Sequence, residues 1–115
     1  MKFMFLLYAN EQGGVSLPPE EMAAWMEKMG AYAAALEKAG ALVSTGGLGL
    51  TRDAAVVHIE AGELQVHNGP YAETQEQLGG YFLIEAADMN AARDWAAKCP
   101  AALWGHIEIR AIMHG

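Results

Sequence analysis

Cysteine is almost absent from this chain of 115 residues, and its one thiol, Cys99, has no partner for an intramolecular disulfide. That excludes a disulfide-stapled secreted scaffold and fits a reducing compartment, so the expected location is the cytoplasm. Charge is scarce as well: Asp, Glu, Lys and Arg make up 18% of the chain, against about a quarter in ordinary soluble domains. The seven bases are scattered singly as Lys2, Lys28, Lys38, Arg52, Arg93, Lys98 and Arg110, and fourteen acids bring the formal charge to −7. Phosphate recognition needs clustered Lys and Arg, so nucleic acid and anionic membrane surfaces are excluded as partners. Long apolar runs are lacking too, none approaching the ~18 residues of a membrane span. Lys2 followed by Phe3 to Ala9 has the outline of a signal peptide. The run sits at the lower limit for that role, no small-x-small cleavage site follows, and its aromatic content favours a buried strand.

What is abundant is apolar surface. Hydrophobic residues make up 53% of the chain, and 22 of its residues are alanine. One domain spanning 1–115 is expected at this length, with about two thirds of the unfolded surface buried on folding. The apolar excess beyond the alanines points to a subunit interface.

Residues 3 to 8 are apolar on both alternating faces, the mark of a strand covered on two sides. Asn10 to Leu17 reads as a loop broken by Gly13 and Gly14, after which Pro18, Pro19, Glu20 and Glu21 open a helix. Met22, Trp25, Met26, Met29, Ala33 and Leu36 repeat at i, i+3, i+4, i+7, which predicts a long amphipathic helix over 19–39, closed by Gly40. Its Met-rich stripe reads as core filler. An extended stretch from Ala41 to Leu48 follows, then strands at 55–59 and 64–67 joined by a hairpin turn over Glu60 to Glu63. Gly80 to Ala86 is again a strand. Asp88 or Asn90 caps a helix over 91–99 ended by Pro100, and the last strand spans 106–113. Each helix separates two strands, so the fold class is α+β: a ferredoxin-like split βαβ sandwich with an extra hairpin and both helices on one sheet face. The other face keeps Met4, Leu6 and Tyr8, with Phe82 and Ile84 or their alternates. Its economical cover is another copy of the chain, so a homodimer is expected.

The most distinctive stretch is Asn68-Gly69-Pro70-Tyr71-Ala72-Glu73-Thr74-Gln75-Glu76, followed by Leu78-Gly79-Gly80-Tyr81-Phe82-Leu83-Ile84-Glu85. Asn68-Gly69-Pro70 is a sharp turn in which Gly69 permits positive φ and Asn68 can bond its own backbone. Glu73 and Glu76, three apart, would share one side of a short helical turn. This run resembles the YCII-related family, in particular its DGPF subgroup, named for a D-G-P-F-A-E-T-K-E run followed by L-G-G-[YF]-[YF]-L-I-E. Similarity continues through Ala92-Arg93-Asp94-Trp95 and the closing Ile107-Glu108-Ile109-Arg110, so it covers almost the whole chain. The resemblance implies a ferredoxin-like subunit pairing into a dimeric α/β barrel, with the motif residues gathered at a cleft between the sheets. Departures are Asn68 for the family's Asp, Tyr71 for Phe, Gln75 for Lys and Ala111 for Pro. An Asn keeps turn geometry but cannot serve as a base.

The candidate groups follow from position and chemistry. His67, at a strand end where the motif turn begins, and Glu73 are the candidate bases; an exposed strand-end histidine is the plain alternative for the former. Arg110 shares a strand face with Glu108 and His106, where it can pair with a carboxylate or meet an anionic group of a ligand. Asn68, Tyr71, Glu76 and Arg110 are the candidate substrate-binding residues. Glu85, charged within an apolar strand, is placed to pair with Arg110. No histidine pair has metal-ligand spacing, and no G-x-S-x-G, Walker, Rossmann or C-x-x-C signature occurs, so neither metal nor cofactor is expected. The resemblance implies lyase-like proteins among the relatives, and accessory partners of extracytoplasmic-function sigma factors among DGPF-type proteins. Three classes therefore stand: an acid-base enzyme with a small-molecule substrate, a non-catalytic small-molecule binder, and a regulatory protein.

Overall fold

The first strand, β1 (Lys2–Ala9), buries Phe3 and Phe5 on one side and leaves Met4, Leu6 and Tyr8 half-covered on the other. In the computed structural model, which describes residues 1–115, it lies in the middle of a four-stranded antiparallel sheet. Its neighbours are β5 (Gln77–Glu85) and β6 (His106–Ala111), and β2 (Leu42–Gly47) closes the far edge, giving the order β2-β5-β1-β6. That is the split βαβ order twice over: β1 and β2 flank β5, while β5 and β6 flank β1.

The first crossover carries a short α1 (Glu11–Val15) and the long α2 (Pro19–Lys38). Where the glycines predict a loop, α1 forms because Asn10 accepts the Gly13 amide at 3.0 Å, so the cap offsets what two glycines cost a helix. Pro19 opens α2 at a position where its missing N–H is no loss. The helix ends in a Schellman motif: Gly40 takes φ +71° and donates to the Glu37 carbonyl, and Ala41 donates to that of Leu36. The second crossover holds α3 (Met89–Lys98), capped by Asp88 on the Ala91 amide at 2.8 Å, and a further turn, α4 (Ala101–Trp104), beyond the expected stop at Pro100. No helix is long and apolar enough to cross a membrane.

Both crossovers cover the same sheet face. Tyr32 and Leu36 of α2 and Ala92 and Ala96 of α3 pack on Phe3, Phe5, Phe82 and Ile84. Tyr32 stands edge-on to Phe82 at 5.2 Å and donates its hydroxyl to the Trp95 carbonyl at 2.7 Å, which ties α2 to α3. Phe82 and Ile84 are therefore core residues; the bare face is completed by their alternates Tyr81 and Leu83, beside Met4, Leu6 and Tyr8. Only 13 of 115 residues are buried, a thin core for so apolar a chain.

The extra hairpin, β3 (Ala55–Glu60) and β4 (Glu63–Asn68), forms a separate two-stranded sheet. Ala61 and Gly62 both take positive φ at its tip, as a twist-matched two-residue turn requires. It stands off the body as an arm, and the radius of gyration reaches 16.1 Å, against about 13 Å for a compact domain of this length.

Candidate functional site

Two glycine pairs shape the end of the sheet from which the arm leaves. Gly47 lies opposite Gly80, and Gly46 lies opposite Tyr81. On the helix-covered face, Gly80 and its neighbour Leu7 leave room beneath α2 that a row of larger side chains would fill. Two adjoining cavities occupy that space. One, of about 390 Å³, lies among Asn10, Gly13, Leu17, Met22, Trp25 and Trp104; the other, of about 470 Å³, lies over Gly47 and Gly80. Both are bounded by Ala9, Met26, Met29 and Trp104, so they form one cleft. No charged side chain lines either part. The Met22-Trp25-Met26-Met29 stripe, expected as core filler, is instead the wall of this cleft, and Met26 is 63% exposed. Trp25 and Trp104 meet edge to face at 4.3 Å, and neither indole N–H is engaged by another group of the chain. Volumes of this order, with mainly apolar walls, are those of small-molecule sites.

The wall near α1 is pinned from below. Glu11 accepts the Thr51 amide and hydroxyl, one on each carboxylate oxygen, both at 2.8 Å, and its own amide donates to Gln77 at 2.9 Å.

The bare face of the sheet carries polar groups at its β1–β6 side. His106, Glu108 and Arg110 alternate outward along β6, opposite Tyr8, Leu6 and Met4. Glu76, just before β5, reaches across to His106 at 2.8 Å. The Tyr8 phenol is held above its ordinary pKa, first by desolvation and then by the charge and hydrogen bonding of Glu108, with Arg110 opposing. Tyr8 stays a neutral donor at physiological pH. It also borders the cleft, so it joins the apolar cavity to the polar face. Farther along, the Tyr81 hydroxyl shares a 2.9 Å hydrogen bond with Ser44, and its ring lies so close over Gly46 that a Cβ there would come within 3.0 Å.

The expected site residues fall into two groups. Glu76 and Arg110 lie on the bare face with Tyr8, Glu108 and His106. His67 and Asn68 lie at the end of β4, and Tyr71, 90% exposed, and Glu73 lie in the loop that returns to β5. No hydrogen bond or ion pair links the second group to the first. The turn at Gly69 is present, with φ +120° and its amide donating to Ala54 at 2.7 Å. Asn68, by contrast, pairs with Ala55 in the hairpin ladder instead of bonding its own backbone. Glu73 and Glu76 share no helical turn, because the segment is a series of bends and Glu76 is drawn to His106. Glu85 does not meet Arg110: the two flank the same end of β1, opposite Lys2 and Met4, but Glu85 takes the N-terminal ammonium at 3.2 Å. Tyr8 is the functional candidate that sequence reasoning passed over, and the signal was its registry on β1, which the topology makes the neighbour of the His106, Glu108 and Arg110 face of β6. No three His, Cys, Asp or Glu side chains converge in an arrangement that would hold a metal.

Comparison with known proteins places this geometry. An uncharacterised protein of Rhizobium meliloti (strain 1021) is 35% identical over 96 residues, which is 84% of this chain and 77% of that one. The structure of 5-chloro-2-hydroxyhydroquinone dehydrochlorinase (TftG) from Burkholderia phenoliruptrix AC1100, solved with 2,5-dihydroxybenzoquinone, superposes on all of this chain and 96% of its own. The TM-score is 0.51 at 15% identity, a likeness of fold. The model of the YCII-related domain matches residues 1–114. The chain belongs to the YCII-related family.

Proposed function

We propose that this protein is a homodimeric small-molecule binder of the DGPF branch of its family, and that its ligand is an uncharged ring compound held in the cleft beneath α2. The observation that carries the reading is the cleft itself: 390 and 470 Å³ of adjoining space, walled by Met and Trp, with no charged lining residue. A charged ligand would lose its hydration there without a counter-charge, whereas a flat neutral ring fits between methionines and two indoles, whose free N–H groups suit a carbonyl or hydroxyl substituent. The branch assignment is supported by the Asn68-to-Glu76 run with its following Leu78-Gly79-Gly80. The glycines of that second motif are the ones that hollow the cleft. Dimerisation through the bare face is supported by half-exposed Met4, Leu6 and Leu83 and by the thin core of one copy, and would form a barrel from the two sheets.

A second reading, acid-base chemistry on the bound ring, is favoured by Tyr8, a neutral phenol beside Glu108 and Arg110 at the cleft border. In it Tyr8 gives its phenolic proton to a ring oxygen, and Glu108 and Arg110 act through Tyr8 from the bare face, Arg110 steadying the phenolate until a proton returns to it by way of Glu108. The dehydrochlorinase of the same fold offers a precedent for a quinone-like ligand. His67 and Glu73, the bases expected from the sequence, would act from the rim.

Calorimetry and thermal shift with neutral quinones, phenols and lactones test the binding. A ligand that raises the melting temperature should lose it on Gly47→Leu, which fills the cleft at a position where an added Cβ meets nothing within 4 Å. Ligand affinity indifferent to both Gly47→Leu and Met26→Ala would remove the site. Turnover that survives Tyr8→Phe and Glu108→Gln together would remove the catalytic reading.

A further inference from the structure

One face of the arm is apolar from its middle to its tip, with Ala55 and Asn68 paired at its base. In the β3–β4 register Val57 lies opposite Val66 and Ile59 opposite Leu64, so all four side chains project on the same side. They are 61, 58, 59 and 61% exposed. The other side carries Val56, His58, Gln65 and His67, with Glu60 and Glu63 at the tip. A lone two-stranded ribbon is marginal in water, and nothing in the same chain covers this one: no hydrogen bond joins residues 55–68 to the four-stranded sheet or its helices.

We propose that the arm is an exchange element, with each copy laying the Val57-Ile59-Leu64-Val66 face across the other copy, which puts the Asn68-to-Glu76 loop at the subunit boundary. This rests on the homodimer argued above and deepens it, since part of the site's rim then belongs to the seam. Three observations select a second copy as the occupant. The arm's apolar face is uncharged and its tip is acidic, in a chain of net charge −7, so an anionic membrane or nucleic acid is repelled. A two-fold pair satisfies both arms at once, because each copy that offers an arm also receives one, beside the seam that Met4, Leu6 and Leu83 of the two sheets would form. The area is sufficient: each arm face presents roughly 400 Å² at the observed exposures, so two arms, with an equal area lost by the surfaces that receive them, would bury roughly 1,600 Å² in all, the size of a standard stable interface.

The test is analytical ultracentrifugation of the full chain and of Ile59→Asp, Leu64→Asp and Leu6→Asp, with hydrogen exchange of the 55–68 segment at several concentrations. Ile59 and Leu64 are exposed in a single copy, so the Asp variants keep their circular dichroism. The expected result is a dimer whose dissociation constant rises about 100-fold or more on Leu64→Asp, because two-fold symmetry removes each contact twice. Arm amides should be protected in the dimer and lose protection on dilution to monomer. A wild-type dimer whose dissociation constant is unmoved by Ile59→Asp and Leu64→Asp, yet weakened by Leu6→Asp, overturns the arm exchange and leaves the homodimer standing. Arm protection that is independent of concentration overturns it as well, since the cover is then intramolecular. A chain that stays monomeric at 100 micromolar overturns both readings.

Discussion

Replacing Glu11 by Ala should cost more than its half-exposed position suggests. Its two carboxylate oxygens hold the Thr51 amide and hydroxyl, each at 2.8 Å, across 40 residues of sequence. Hydrogen bonds to a charged acceptor contribute about 1.5–3 kcal/mol each when buried; two of them on one partly solvated carboxylate sum to about 2 kcal/mol. For a domain of this length that corresponds to a loss of about 8 °C in melting temperature. Glu11→Gln keeps one acceptor and should lose about half as much. Thermal and urea unfolding give the stability, and hydrogen exchange of the Thr51 amide gives the local effect. The same variant should weaken any cleft ligand, because Glu11 anchors α1, whose Gly13 and Gly14 border the cavity. If Glu11→Ala unfolds within 0.5 kcal/mol of wild type and the Thr51 amide exchanges at the same rate, the pin is not what holds this corner.

The glycines separate by surroundings. Gly80→Ala should destabilise the sheet, since its Cβ would lie 3.0 Å from the Gly46 carbonyl oxygen, whereas Gly30→Ala, with nothing within 4 Å in mid-helix, should stabilise by about 0.8–1 kcal/mol in urea unfolding. Tyr32 is buried and its phenol is held well above the ordinary pKa of 10 by desolvation. The folded state keeps a proton that the unfolded state gives up above pH 10, so stability should fall as pH climbs from there. Tyr32→Phe should flatten that fall in alkaline melts, while costing about 1 kcal/mol at neutral pH through the orphaned Trp95 carbonyl.

The order of strands and helices was legible because its signals are local: the two-sided apolar β1, the Pro-Pro-Glu-Glu opening of α2 and the Asp88 cap each act within a few residues. The placement of both helices on one face followed from topology. What escaped was decided by register and by contacts distant in sequence. Phe82 and Tyr81 are adjacent aromatics, and only the pairing with β1, Phe82 opposite buried Phe5 and Tyr81 opposite Leu6, settles which faces the helices. Likewise Val57, Ile59, Leu64 and Val66 alternate identically whether their cover is their own subunit or another. Glu73 and Glu76 have helical spacing, but the pull of His106 on Glu76 comes from 30 residues away. The Met stripe of α2 has the pattern of a core face; its conversion to a cleft wall depends on glycines in β2 and β5 that contact it only after folding.

The central position of β1 sets a timetable for biosynthesis. Phe3 pairs with Ile84 on one side and Ala111 on the other, so the first strand made is the last to be completed. At ribosomal speeds of about 5–20 residues per second, its second neighbour follows it by about 5–20 s. Until β5 emerges, Phe3, Phe5 and Leu7 have no strand to pair with, while the β3–β4 ribbon, closed by two residues, can form within microseconds of emerging. The nascent chain thus displays its greasiest strand for longest, which makes β1 the segment that a ribosome-associated chaperone would meet first.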